Sequence, residues 1–172
     1  MNSLVVMGVA GCGKSSLGRA IAHAEALPLI EGDDHHSANN KARMAAGTPL
    51  TDADREGWLA TLGDQLHARP GGAVLTCSAL KRSYRDRLRA ASPGLRFVFL
   101  EIGPDEAQAR VSARSATHFF STRLVASQFE TLEPPTGEPG VLAVDARLPL
   151  GALAEQVQHW LHPRTENTTR NA

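Results

Sequence analysis

The stretch Gly8-Val9-Ala10-Gly11-Cys12-Gly13-Lys14-Ser15 constrains this chain more than any other part of its sequence. Glycine, four free positions and then Gly-Lys-Ser is the phosphate-loop pattern, and its weight depends on what flanks it. Before it, Leu4-Val5-Val6-Met7 is a short apolar run rich in strand formers, which reads as a strand buried on both faces. After it, residues 16–26 have helical composition. In that order, a glycine-rich turn directs backbone N–H groups at phosphate oxygens, and the helix N-terminus adds partial positive charge. The segment from Gly8 to Ser16 is then the nucleotide-binding segment, with Lys14 reaching the β- and γ-phosphates of ATP and the Ser15 hydroxyl ligating Mg²⁺. A dinucleotide fingerprint is excluded, because Ser16 stands where its third glycine belongs. Cys12 lies beside a helix N-terminus, where thiols gain reactivity, but it reads as a small residue the loop tolerates, since phosphoryl transfer needs no thiol.

Residues 28–31, 74–77, 97–100 and 141–144 are further short apolar strands, and 52–68, 80–91, 104–113 and 150–161 are helical stretches between or after them. Thr51 or Asp52 suits the N-cap of the first of these helices and Ser78 that of the second, while Pro104 suits the first turn of the third. Strands alternating with helices imply parallel βαβ units, hence an α/β P-loop NTPase fold with a parallel sheet flanked by helices. A chain of 172 residues with 42% hydrophobic and 21% charged residues fits one globular unit. It is read as a single domain over 1–162, with a substrate-side insertion at about 34–58, a lid at about 110–134, and a polar tail at 163–172.

Lys+Arg and Asp+Glu number 18 each, a balance that argues against a sequence-independent nucleic-acid binder. Cys12 and Cys77 are too few for a disulfide framework or a structural zinc site. The apolar runs fall far short of the roughly 20 residues a membrane helix needs. The first strand begins without a secretory-type leader, so the expected location is cytoplasmic, with no membrane partner.

A guanine-reading Asn-Lys-x-Asp segment is not evident, and large ATPases need more chain, so the reading is a small-metabolite kinase. The second strand ends in Gly32-Asp33-Asp34-His35-His36, placing a carboxylate at the C-terminal edge of a parallel sheet, where ligands bind. Asp33 is the candidate that accepts the proton of a substrate hydroxyl and orients it for in-line attack; Asp34 reads equally well as an exposed turn acid. No aspartate closes the third strand, where Cys77-Ser78 stands, which leaves Mg²⁺ to Ser15, phosphates and water, with Asp33 in its outer shell. Arg110 and Arg114, four residues apart near a helix end, share a face and are read as lid arginines that stabilise the transferring phosphoryl group.

Three blocks then resemble the gluconokinase family. The first comprises Gly32-Asp33, His36, Asn40, Met44, Gly47, Pro49-Leu50, Asp52, Asp54-Arg55 and Trp58-Leu59. The second is Cys77-Ser78-Ala79-Leu80-Lys81 with Tyr84-Arg85-Asp86 and Leu88-Arg89. The third is His118-Phe119-Phe120, Leu124, Ser127-Gln128-Phe129 and Leu132-Glu133-Pro134. With the phosphate loop, the resemblance spans about residues 4–150. It implies a nucleoside-monophosphate-kinase-like fold with a lid insertion, and the transfer of phosphate from ATP to D-gluconate to give 6-phospho-D-gluconate and ADP. It also implies a homodimer, and it adds His118 to the substrate side. The sequence departs from the family in Arg43 for lysine, Ala53 for an acid, Gly57 for proline, and one extra residue between Arg114 and His118.

Gluconate is a polyol with one carboxylate, so its pocket needs hydrogen-bonding groups and a cation. Asp33, His36, Arg55, Lys81 and Arg85 supply that mixture, although Lys81 and Arg85 read equally well as helix-surface charges. A shikimate-kinase-like enzyme and a nucleotide-binding regulatory module are the alternatives. The first would lack the Cys77–Lys81 block, and the second would not require Lys14, Ser15 and Asp33 together.

Overall fold

Leu4–Met7 forms strand β1, the centre of a five-stranded sheet whose other members are β2 (Leu29–Glu31), β3 (Val74–Thr76), β4 (Arg96–Glu101) and β5 (Val141–Asp145). The computed structural model describes residues 2–114 and 122–163. All four neighbour pairings are parallel, and the strand order is β2-β3-β1-β4-β5. The chain therefore leaves β1, passes over β3 to reach β2, and crosses later to β4 on the other side. That change of direction opens a crevice at the C-terminal end of β1, where open α/β sheets bind ligands.

Every side chain of β1 is buried, as expected of a strand covered on both faces. Leu4 and Val6 pack with Leu17, Ile21, Val111 and Val157, residues of the helices α1 (Lys14–Ala24), α5 (Pro104–Arg114) and α7 (Leu150–Leu161). Val5 and Met7 point the other way, against Trp58, Leu62 and Leu88 of α3 (Asp52–His67) and α4 (Arg82–Ala91). The alternation of side chains along one strand thus builds two cores and fixes the helix layers. Among the described residues no helix is long and apolar enough to cross a membrane.

The five predicted strands and the helices beginning near residues 52, 104 and 150 stand where the sequence placed them. Thr51 caps α3 in a capping box, its hydroxyl accepting from the Asp54 N–H while the Asp54 carboxylate accepts from the Thr51 N–H. The second expected cap is corrected. Ser78 does not start α4, because Ala79 takes a left-handed φ of 45° and the chain stays extended through Lys81. The Glu133 carboxylate supplies the cap from afar, accepting from the Arg82 N–H at 2.8 Å.

Two further helices lie inside the segments read as the substrate-side insertion and the lid. Helix α2 (Ala38–Ala45) is capped by Ser37, and its polar composition hid it. Helix α6 (Thr122–Thr131) buries Leu124 and Val125, and its Phe129 packs against the core.

Candidate active site

The turn after β1 is built by backbone that only glycine adopts comfortably. Gly8, Gly11 and Gly13 have φ of 146°, 82° and 98°, and a Cβ on Gly8 would lie 2.9 Å from the Leu100 carbonyl oxygen. Helix α1 starts at Lys14 with Gly13 as its N-cap, no side-chain cap and no acid in its first turn. Its first N–H groups therefore face the crevice with partial positive charge, which is the electrostatic requirement of an anion site. The Lys14 ammonium lies across the loop, donating to the Val9 carbonyl oxygen at 3.1 Å.

A cleft of about 680 Å³ opens above this turn. Ala10, Gly11, Gly13, Lys14, Ser15 and Ser16 line it from the phosphate loop. Gly8, Val9 and Cys12 contribute to the loop from beneath, with the Val9 and Cys12 side chains buried in the core. Cys77 is buried too, and burial pushes its thiol up to about 12, so it stays protonated.

Asp33 and Asp34 enter the cleft from a 3₁₀ turn, Gly32–His35, that continues β2. Two contacts hold that turn against the sheet. A Cβ on Gly32 would lie 2.3 Å from the Thr76 carbonyl oxygen, so only glycine permits the approach. The Trp58 indole N–H donates to the Gly32 carbonyl oxygen at 2.8 Å. The same indole stacks on the His36 ring, with centroids 4.2 Å apart and planes 14° from parallel. Burial lowers the His36 pKa from 6.5 to about 4 against the opposing charge of Asp33, with Arg55 and Lys41 adding to the fall. His36 is thus a neutral imidazole at the cleft wall, and its Nδ1 is buried without a hydrogen-bond partner among the described residues. Arg55 is held beside it, donating to the Leu50 carbonyl oxygen at 2.5 Å, with its guanidinium 5.7 Å from the Tyr84 ring centroid.

The structure separates the other expected cations. Of Arg55, Lys81 and Arg85, Arg55 lines the cleft and the other two do not. Lys81 donates to both Asp52 carboxylate oxygens at 2.9 Å, and the Tyr84 hydroxyl bonds the same carboxylate. Arg85 is fully buried and pairs with Glu138 at 2.5 Å, which corrects its reading as a ligand-facing or surface residue. Its guanidinium also donates to the carbonyl oxygens of Ala79, Leu80 and Glu133. Helical spacing placed Arg85 correctly on α4, but it could not reveal that the segment after α6 closes over that face.

Arg114 lines the cleft, whereas Arg110 does not. Arg110 is paired with Glu106 at 2.9 Å and donates to the Ala146 carbonyl oxygen at 3.1 Å. His118, with the rest of residues 115–121 of the predicted lid, lies outside the described residues, as do residues 164–172 of the predicted tail.

Two cleft residues were not among the site candidates read from the sequence. Glu31, the last residue of β2, accepts from the Ser15 hydroxyl at 2.9 Å and from the Thr76 hydroxyl at 2.5 Å on the same carboxylate oxygen. The sheet-edge argument that singled out Asp33 applies equally to Glu31, two residues earlier. Gln128 of α6 accepts from the Ala10 N–H at 2.6 Å across 118 residues of chain. No local pattern signals a contact of that range.

The family model described as an AAA domain matches residues 4–135. The thermoresistant gluconokinase of Escherichia coli (strain K12) is 41% identical over 159 residues, spanning 90% of this chain and 90% of that protein. The crystal structure of a gluconokinase from Sinorhizobium meliloti 1021 matches with a TM-score of 0.83 at 48% identity, covering 90% of this chain and 88% of that one. A shikimate kinase from Acinetobacter baumannii, at 11% identity and a TM-score of 0.59, shares the fold alone. Similarity of that extent in both sequence and fold makes this chain a member of the gluconokinase family.

Proposed function

We propose that this protein transfers the γ-phosphoryl group of ATP to the C6 hydroxyl of D-gluconate, giving 6-phospho-D-gluconate and ADP. The observation that carries the reading is a single cleft joining the uncapped start of α1 to the Asp33 carboxylate and the His36–Arg55 pair. Its relatives named gluconokinase support the choice of acceptor.

The phosphate loop and Lys14 hold the β- and γ-phosphates and neutralise the charge that shifts toward ADP. Asp33 orients the acceptor hydroxyl and takes its proton as the new O–P bond forms. Arg55 is the cation for the gluconate carboxylate, since Lys81 and Arg85 are committed to Asp52 and Glu138. Neutral His36 bonds polyol hydroxyls without adding charge. Arg114 supplies a planar cation to the equatorial phosphoryl oxygens, and residues 110–134 act as a lid that excludes water.

Mg²⁺ fits the donor set. Ser15 and Glu31 present adjacent oxygen donors at the cleft, as a hard cation requires. Among the described residues no cluster of three or more His, Cys, Asp or Glu forms a cation cage, and phosphate oxygens and water would fill the rest of its shell. Bound there, the ion would neutralise phosphate charge. The cytoplasm supplies ATP and keeps the free Cys12 and Cys77 thiols reduced, and it is the proposed location. A homodimer is part of the same reading and is checked by light scattering on a sizing column.

Coupled ADP release over a panel of sugar acids and shikimate tests the function. Turnover dependent on D-gluconate is expected. Turnover with a different acceptor, or nucleotide binding without turnover, would refute it.

A further inference from the structure

The contact between Gln128 and the phosphate loop leaves half of an amide unused. Ala10 offers an N–H, so the oxygen of the Gln128 side chain must face it, and the hydrogen bond of 2.6 Å fixes the orientation of the amide group. The NH₂ end then points away from Ala10, and no described residue accepts from it. Leu124, Ser127 and Gln128 fall at helical spacings of three and four, and all three line the same cleft as Glu31 and Asp33. Val125 and Phe129, on the adjoining stripe of α6, pack into the core and hold the helix in that rotation.

A donor so placed has a definite use. Removing the loop contact alone would leave a partly buried Ala10 N–H unpaired, which any acceptor side chain could prevent. A glutamine does that and also presents two N–H donors to a cleft whose neighbouring groups, the start of α1 and Lys14, are arranged for anions. Being neutral, it adds donors to a cleft that Arg114 and Lys14 also line, without adding a third cation.

We propose that Gln128 both positions the phosphate loop and recognises the γ-phosphoryl group of ATP, its carbonyl holding the Ala10 N–H and its NH₂ donating to a γ-phosphoryl oxygen. The proposal rests on the kinase reading above. Helix α6 lies within the proposed lid, so the bond also ties that segment to the loop that holds the nucleotide.

Two variants separate the roles. Gln128→Ala removes both contacts, while Gln128→Glu keeps an acceptor for Ala10 and replaces the donor with a carboxylate oxygen. Affinities for ADP and for the β,γ-imido analogue of ATP are measured by calorimetry, with kcat from coupled ADP release. Wild-type turnover with gluconate is measured first, so failure of the kinase reading is seen separately. For Gln128→Ala, affinity for the ATP analogue falls about 10-fold further than that for ADP, the size of a hydrogen bond to a charged group, and any loss shared by the two reports the loop contact. Gln128→Glu loses more analogue affinity than Gln128→Ala, and its kcat falls by about 10². Equal weakening of ADP and analogue, or wild-type turnover in Gln128→Glu, would overturn the proposal. Thermal melts check folding; if Gln128→Ala unfolds, Gln128→Glu, which keeps the loop contact, decides the matter.

Discussion

Replacing Glu138 by glutamine keeps the shape of the side chain and removes its charge, and the surroundings set the consequence. Glu138 and Arg85 are 5% and 0% exposed in their side chains, and their closest contact is 2.5 Å. Arg89 meets the other carboxylate oxygen at 2.9 Å. Without the carboxylate, Arg85 becomes a buried cation with only neutral acceptors, the carbonyls of Ala79, Leu80 and Glu133. Breaking a buried pair from one side costs about 3–5 kcal/mol. The retained carbonyl bonds, and the Asp86 partner that Arg89 keeps, put this case at about 3 kcal/mol. For a chain of this size that is a fall of about 6–12 °C in Tm. Urea unfolding at neutral pH measures it, with the slope m unchanged if only stability shifts. The pH dependence has a definite sign. Hydrogen bonds from Arg85, then those from Arg89, hold the Glu138 pKa below 4.5 against burial, so its stabilisation is full above that pH. It is lost as pH falls through the lowered native value. A gap below about 1 kcal/mol at neutral pH, or one that persists undiminished in acid, would refute the reasoning.

Asp33→Asn is expected to lower kcat by about 10²–10⁴ with ATP binding nearly intact; loss of gluconate affinity at unchanged kcat would make Asp33 a binding group only. Lys14→Ala should abolish turnover and weaken ATP binding, and near-native turnover would remove the phosphate-loop assignment. Arg114→Ala should lower kcat at saturating substrates more than Arg110→Ala does, because Arg114 lines the cleft while Arg110 is paired with Glu106; the reverse order would sink the assignment. His36, lowered from 6.5 to about 4, should give no limb near 6.5 in the kcat/KM profile. The unfolded chain takes up that proton first, so between those values wild type should lose more stability on acidification than His36→Asn.

The phosphate loop, the parallel strands and the helices that cover them were legible because each is a local fact. A buried strand is a run of apolar residues, a glycine turn is a string, and a capping box needs only Thr51 and Asp54 three apart. Helices α2 and α6 were not legible, since polar faces over short lengths resemble loops. Asp33 could be chosen from its place at a strand end, and Glu31 could have been by the same rule.

What each cation does was decided only by the tertiary structure. Arg55, Lys81 and Arg85 carry the same charge and stand in similar family-like blocks, yet one lines the cleft, one is held by Asp52, and one is buried against Glu138. Charge acts through space, and a partner 53 positions away along the chain sets the role of Arg85. The same holds for Gln128, whose contact with Ala10 exists because α6 packs against α5 beside the end of β1. Sequence determines what a residue can donate or accept; packing decides which partner is near enough to take it.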